Sequence, residues 1–234
     1  MIALGEIKTY ATKLFDLILP RFCCSCKTKL LTNEDTICPI CFSKIQLASD
    51  ERLKIEFERK FQNKNIISEF FAPFVFEKDK ELQHAIHSIK YQNKFQVGIF
   101  LGKVLAANIQ STRSDWKIDL IIPIPLHQLK KAERGYNQSY YIAKGMSKVL
   151  NVPCSDQIVK RKKYTESQTT MTLTERQENI SKAFRIKNKN AVKEKTVLLI
   201  DDVITTGATI SECGSILIES GAKKIFAASI AIAD

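Results

Sequence analysis

Apolar and polar positions along the chain switch between two periods, and the switching predicts its elements. Leu4, Ile7, Ala11, Leu14 and Ile18 recur at helical spacing, an amphipathic stripe that reads as a packing helix or as a helix lying on a membrane surface. Glu6, Lys13 and Asp16 interrupt any signal-peptide core there. A charged helical segment follows over residues 49–65. Aromatic and β-branched residues over 70–76 predict a strand, and 80–89 and 95–109 carry helical periodicity. Residues 119–125, DLIIPIP, read as a buried strand, with another helix starting near Asn137. Residues 197–200 form a second buried strand. Residues 210–220 then form an amphipathic helix stopped by Gly221, and 225–233 a last apolar strand. Apolar runs alternating with helical periods predict an α/β fold with a doubly wound, mainly parallel sheet.

The strand at 197–200 runs into the chain's most specific chemistry, VLLIDDVITTGAT over residues 197–209. A buried parallel strand delivers Asp201 and Asp202 to its carboxyl end, where open α/β sheets bind ligands. Thr205, Thr206 and Thr209 add hydroxyls, Gly207 admits close backbone approach, and the N–H groups opening the next helix favour an anion. Paired carboxylates facing an anion nest suit a sugar phosphate; the plainer reading is an Asp pair that caps a helix. The string resembles the phosphoribosyl pyrophosphate (PRPP) motif of type I phosphoribosyltransferases. That resemblance implies that Asp201 and Asp202 are the catalytic pair, holding the ribose hydroxyls directly or through Mg²⁺. It also implies that Thr205, Thr206, Gly207, Ala208 and Thr209 wrap the 5′-phosphate.

A second strand-loop-helix unit places Lys130, Lys131, Arg134 and Gly135 ahead of the helix near Asn137, a loop able to bind a second anion or simply to be solvated. Near the other end, Cys23 and Cys26 are separated from Cys38 and Cys41 by eleven residues. Two CxxC pairs at that spacing predict a closed, tetrahedral structural zinc site, with Cys24 spare. Disulfides are the alternative, and the seven cysteines would leave one unpaired. His84 and His87 read as a helix surface, while Cys154, Cys213 and His127 carry no visible partner for chemistry.

The order CxxC, CxxC, Ile89-Lys90-Tyr91, IIPIPL, ERGYNQ and IDDVITTGAT is similar to the ComF/GntX family over nearly the whole chain. Gln92 and Asn93 stand where similar proteins often carry glycine. The resemblance implies a type I phosphoribosyltransferase-like domain with a small N-terminal zinc module built on four cysteines. It maps pyrophosphate binding onto Arg134, Gly135, Tyr136 and Asn137, with Gln138 in the same loop. The expected division is a helix and zinc module over 1–46, a charged connector over 47–68, and the phosphoribosyltransferase-like domain over 69–234. By the same resemblance, the segment 160–184, with its Lys160–Lys163 basic cluster and many Ser/Thr, is a mobile loop closing over substrate; the alternative is a simple exposed loop. Arg176 and Asn179 within it would contact ligand or pack the domain.

The 234 residues carry a formal charge of +11, and no run approaches a membrane span. A cytoplasmic protein without an integral membrane segment is expected. Residues 127–164 hold nine Lys/Arg against Glu133 and Asp156, so +7 of that charge flanks the candidate site. Such a field attracts PRPP and equally a nucleic-acid backbone. The resemblance implies PRPP and Mg²⁺ as ligands, with single-stranded DNA and competence proteins as partners in natural transformation. The function expected is a PRPP-binding protein serving DNA uptake and leaning to phosphoribosyl transfer. The alternatives are a non-catalytic handler of single-stranded DNA and a PRPP-sensing regulator. No base signature identifies an acceptor.

Overall fold

The computed structural model describes residues 20–32, 34–62, 65–161 and 183–233. The expected N-terminal helix and most of the segment 160–184, including Arg176 and Asn179, lie outside them. The chain winds around one parallel sheet of five strands: β1 (Glu69–Phe71), β2 (Phe74–Val75), β3 (Leu120–Pro123), β6 (Thr196–Ile204) and β7 (Lys224–Ile232). Their order is β1-β7-β6-β3, with β2 also pairing on β7, and every pairing is parallel. The apolar runs explain it: Val197, Leu198, Leu199 and Ile200 are fully buried, as continuous hydrophobic strands covered on both faces must be. The stretch 70–76 is two short strands, because Pro73 cannot donate to the ladder.

Helices α3 (Glu81–Tyr91), α4 (Phe95–Thr112), α6 (Gln138–Leu150) and α7 (Ala208–Glu219) flank the sheet. The α4–α6 crossing is unusually close. A Cβ on Gly102 would lie 2.1 Å from the Ile142 carbonyl oxygen, and one on Gly145 would lie 2.2 Å from that of Ile99. Glycine at both positions lets the two backbones meet. Trp116 stacks on Phe226 at 4.3 Å between centroids and donates its indole N–H to Glu69, closing the end of the sheet away from the acidic pair.

Residues 20–32 and 34–46 fold around the four cysteines, with the short helix α1 (Pro39–Ser43) carrying Cys41. The chain then runs along the main sheet's edge. Val75 N–H donates to Gln46 O, Ala48 N–H donates to Pro73 O, and Phe42 meets Phe74 and Phe100 edge-on at 5.9 Å. One hydrophobic core therefore runs from Cys23 to Ile232. Helix α2 (Asp50–Phe61), capped by the Ser49 hydroxyl accepting from Arg52 N–H, leads from there into the sheet. Outside the sheet, β4 (Val159–Arg161) and β5 (Phe184–Ile186) pair antiparallel as a hood beside the carboxyl ends of the strands. Helix α5 (Gln128–Arg134) occupies the basic loop, where the sequence pattern predicts only a loop.

Candidate functional site

Strand β6 extends through Ile204, so the two carboxylates sit within it and not beyond its end. Asp202 is buried, in contrast to the solvent-facing position its place in the sequence suggests, and its Oδ2 lies 2.7 Å from the Lys90 ammonium. Its Oδ1 accepts from Val203 N–H. Asp201 Oδ1 accepts from the Ser139 hydroxyl at 3.0 Å and from Asp202 N–H at 2.9 Å. Burial first, and the neighbouring Asp202 carboxylate second, push Asp201 from its ordinary 3.8 up to about 7. Two adjacent carboxylates answered, among the described residues, by a single close ammonium leave a site that gains from a cation or from hydroxyl donors.

Beyond β6 the chain turns through Thr205 and Thr206, both exposed, to Gly207 at φ 71°, which caps α7. The N-cap Gly207 has no side chain to cap that helix, so backbone N–H groups of its first turn beyond Ala208 keep their donor capacity for an anion. The Thr206 hydroxyl accepts from Ala208 N–H.

Across the cleft, α5 ends at Gly135 with φ 75°. The Arg134 guanidinium lies 5.1 Å from the Tyr91 ring centroid, and its two Nη atoms donate to Gln138 Oε1 and the Tyr91 hydroxyl. Lys90, Lys130, Arg134, Gln138, Ser139, Arg161, Asp201, Asp202 and Thr209 share one cavity of about 160 Å³. The structure thus brings Arg134, the acidic pair and Thr209 together. Gly135, Tyr136 and Asn137 do not line that cavity; they hold its wall. The Tyr136 hydroxyl donates to Ile89 O, while Asn137 caps α6 by accepting from Ser139 N–H and donates to Ile124 O. Lys90 and Ser139 are additions to the expected set. Lys90 stands in the Ile-Lys-Tyr motif, a usable signal, whereas nothing in the sequence distinguishes Ser139.

The Sγ atoms of Cys23, Cys26, Cys38 and Cys41 all lie within 4.8 Å of one another, with Cys26 and Cys38 3.8 Å apart. Four thiolates bound at about 2.3 Å around a tetrahedral zinc are separated by about 3.8 Å, so the donor set and its spacing fit that ion. Cys24 stands apart, buried, with its thiol pushed up to about 12 chiefly by burial. Cys213 is fully buried in α7. His127 caps α5 by accepting from Leu129 N–H.

Residues 99–233 match the family model of the phosphoribosyl transferase domain. The chain is similar to Competence protein F of Haemophilus influenzae, 33% identical over 144 residues, covering 60% of this chain and 63% of that protein. It is similar to the DNA utilization protein YhgH of Escherichia coli, 27% identical over 147 residues, covering 62% and 64%. With Competence protein ComFC of Streptococcus pneumoniae it shares 27% identity over 202 residues, 84% of this chain and 88% of that one. The match therefore spans less than two thirds of the length of the first two relatives. Among solved structures, the purine phosphoribosyltransferase from Pyrococcus horikoshii is 22% identical, with a TM-score of 0.36 over 59% of this chain and 72% of that one. Among the described residues no helix is long and apolar enough to cross a membrane.

Proposed function

The chain belongs to the phosphoribosyl transferase domain family, as a ComF-family member, and from that premise we propose that it binds PRPP with Mg²⁺ at Asp201–Asp202 and serves DNA uptake. The observation that carries the reading is the facing of a carboxylate pair, Asp202 buried and Asp201 partly so, by cations and hydroxyls within one cavity, next to a glycine-led helix start. In this reading the N–H groups and hydroxyls of Thr205, Thr206, Gly207, Ala208 and Thr209 take the 5′-phosphate. Arg134, with Lys90 and Lys130, draws the pyrophosphate, while Gly135, Tyr136 and Asn137 shape that wall.

Asp201 and Asp202 would hold Mg²⁺, which supplies charge neutralisation for the pyrophosphate when bound, or would accept from the ribose hydroxyls directly. If the ribosyl group is transferred, the acceptor's nucleophile bonds to ribose C1 as the C1–O bond breaks and its electron pair leaves on pyrophosphate. The positive charge developing on the ribose then faces the carboxylates, and the negative charge on the leaving group faces Arg134 and the lysines. The four-cysteine module is proposed to hold structural zinc. The DNA-uptake role rests on the names of the similar competence and DNA utilization proteins.

Calorimetry with PRPP and Mg²⁺ at fixed salt tests the site. Wild type is expected to bind in the micromolar range and Asp201→Ala/Asp202→Ala to lose binding by at least a hundredfold; a wild type that does not bind would end this reading. The hood favours a second reading. Lys160 lies directly opposite Arg185, and Lys187 next to them has its pKa lowered by Lys160. Like charges held this close on a short antiparallel strand pair favour a polyanion, and single-stranded DNA is the candidate.

A further inference from the structure

Helix α2 lies outside the matched domain, yet its last turn sits directly beneath the anion loop. The Lys60 side chain is only 4% exposed. Its ammonium donates to the Thr205 carbonyl and, at 3.0 Å, to the Ala233 carbonyl that follows β7. Glu56, one helical turn earlier and itself buried, holds the charge at 3.0 Å and also accepts from Arg59 at 2.6 Å. Burial alone would raise the Glu56 pKa, but Lys60 and Arg59 together outweigh it and lower the value, which keeps Glu56 ionised beside Lys60. Phe61 completes the support: a Cβ on Gly207 would meet its ring at 2.7 Å and the Lys60 Cβ at 3.2 Å.

Resting on the PRPP reading above, we propose that Lys60 is a positioning residue for the 5′-phosphate loop, acting through the Thr205–Thr206 peptide. The C=O and N–H of one trans peptide point in opposite directions. Anchoring the Thr205 carbonyl on α2 therefore aims the Thr206 N–H away from α2, to the open side of the turn. Without the anchor, the exposed Thr205–Thr206 turn is free to rotate that peptide, and a carbonyl oxygen in place of an N–H repels a phosphate. Lys60 also adds a full positive charge beneath the loop, partly balanced by Glu56. The loop's shape is thus set from outside the sheet, by a helix that the zinc module introduces. Neither the PRPP motif nor the basic loop contains this support.

Two small probes separate a positioning role from a general scaffold role. Ribose 5-phosphate reports the 205–209 loop, and pyrophosphate with Mg²⁺ reports the Arg134 side. In Lys60→Met, calorimetry is expected to show ribose 5-phosphate weakened at least tenfold, with pyrophosphate within twofold of wild type and circular dichroism unchanged. Glu56→Gln, which keeps Lys60 but loosens it, is expected to weaken ribose 5-phosphate about threefold with the same selectivity. Equal affinities for ribose 5-phosphate in wild type and both variants would overturn the proposal, as would parallel loss of both probes. If Lys60→Met does not fold, Glu56→Gln decides by the same criterion. Failure of wild type to bind either probe would instead remove the PRPP reading on which this role depends.

Discussion

If Asp201 binds ligand as proposed, binding and stability oppose each other at that one residue. In the unfolded chain its carboxyl ionises near the ordinary 3.8; in the fold it keeps its proton to about 7. Between these values the folded state binds more protons than the unfolded state, so the group's contribution to stability is largest at low pH. It declines as pH rises through that window and stays low above it. Asn at this position can accept the same bonds from Ser139 and Asp202 N–H without the charge. Asp201→Asn is expected to melt several degrees higher than wild type at pH 8 and within a degree at pH 4, measured by scanning calorimetry, while losing ligand binding. Equal melting temperatures at pH 8 would mean that the carboxylate ionises without penalty. Such a trade is common where a site holds destabilising charge in readiness for a ligand.

At the scale of elements, the parts legible in the sequence are those whose signal is local. The apolar run at 197–200, the Asp pair and Gly207 lie within one short segment, and the four cysteines announce their own geometry through spacing. Lys90 is different: it reaches Asp202 only because α3 packs beside the carboxyl end of β6, and no periodicity encodes a partner over such a separation. The same holds for Ser139 on Asp201 and Lys60 on Thr205. The hood strands have three residues each, too few to show alternation, and α5 is a short helix with no buried face to impose a stripe. The cysteine module illustrates the local case. Its helix carrying Cys41 holds Phe42 against Phe74 and Phe100, half-buried packing worth about 2 kcal/mol. Cys41→Ser is expected to lower bound zinc, measured by elemental analysis, and to lower the melting temperature by roughly 4–8 °C. The far-UV spectrum should change little, because the parallel sheet does not run through the module. A variant with full zinc content and an unaltered melting temperature would refute the four-thiolate assignment.

For the molecule as a whole, the distribution of charge decides between ligands that share a chemistry. The cavity at Asp201 and Asp202 is small, about 160 Å³, and sets two carboxylates among Lys90, Lys130, Arg134 and Arg161. The hood carries Lys160, Arg185 and Lys187 on an antiparallel strand pair, while its Arg161, 5.4 Å over the Phe184 ring, also lines the cavity. A compact sugar phosphate such as PRPP, its charge partly neutralised by Mg²⁺, fits the first, whereas a strand of many phosphates gains most from the second, by releasing counterions along its length. The two sites should therefore respond differently to salt and to mutation. Binding of a fluorescent single-stranded oligonucleotide, followed by anisotropy, is expected to weaken steeply between about 50 and 200 mM salt. Lys160→Glu/Arg185→Glu should weaken it at least tenfold at the lower salt while PRPP affinity changes by less than threefold. Asp201→Ala/Asp202→Ala should do the reverse. If the hood variant instead loses PRPP and keeps the oligonucleotide, the strand pair belongs to the small-molecule site, and the DNA-binding surface must be sought on another face of the protein.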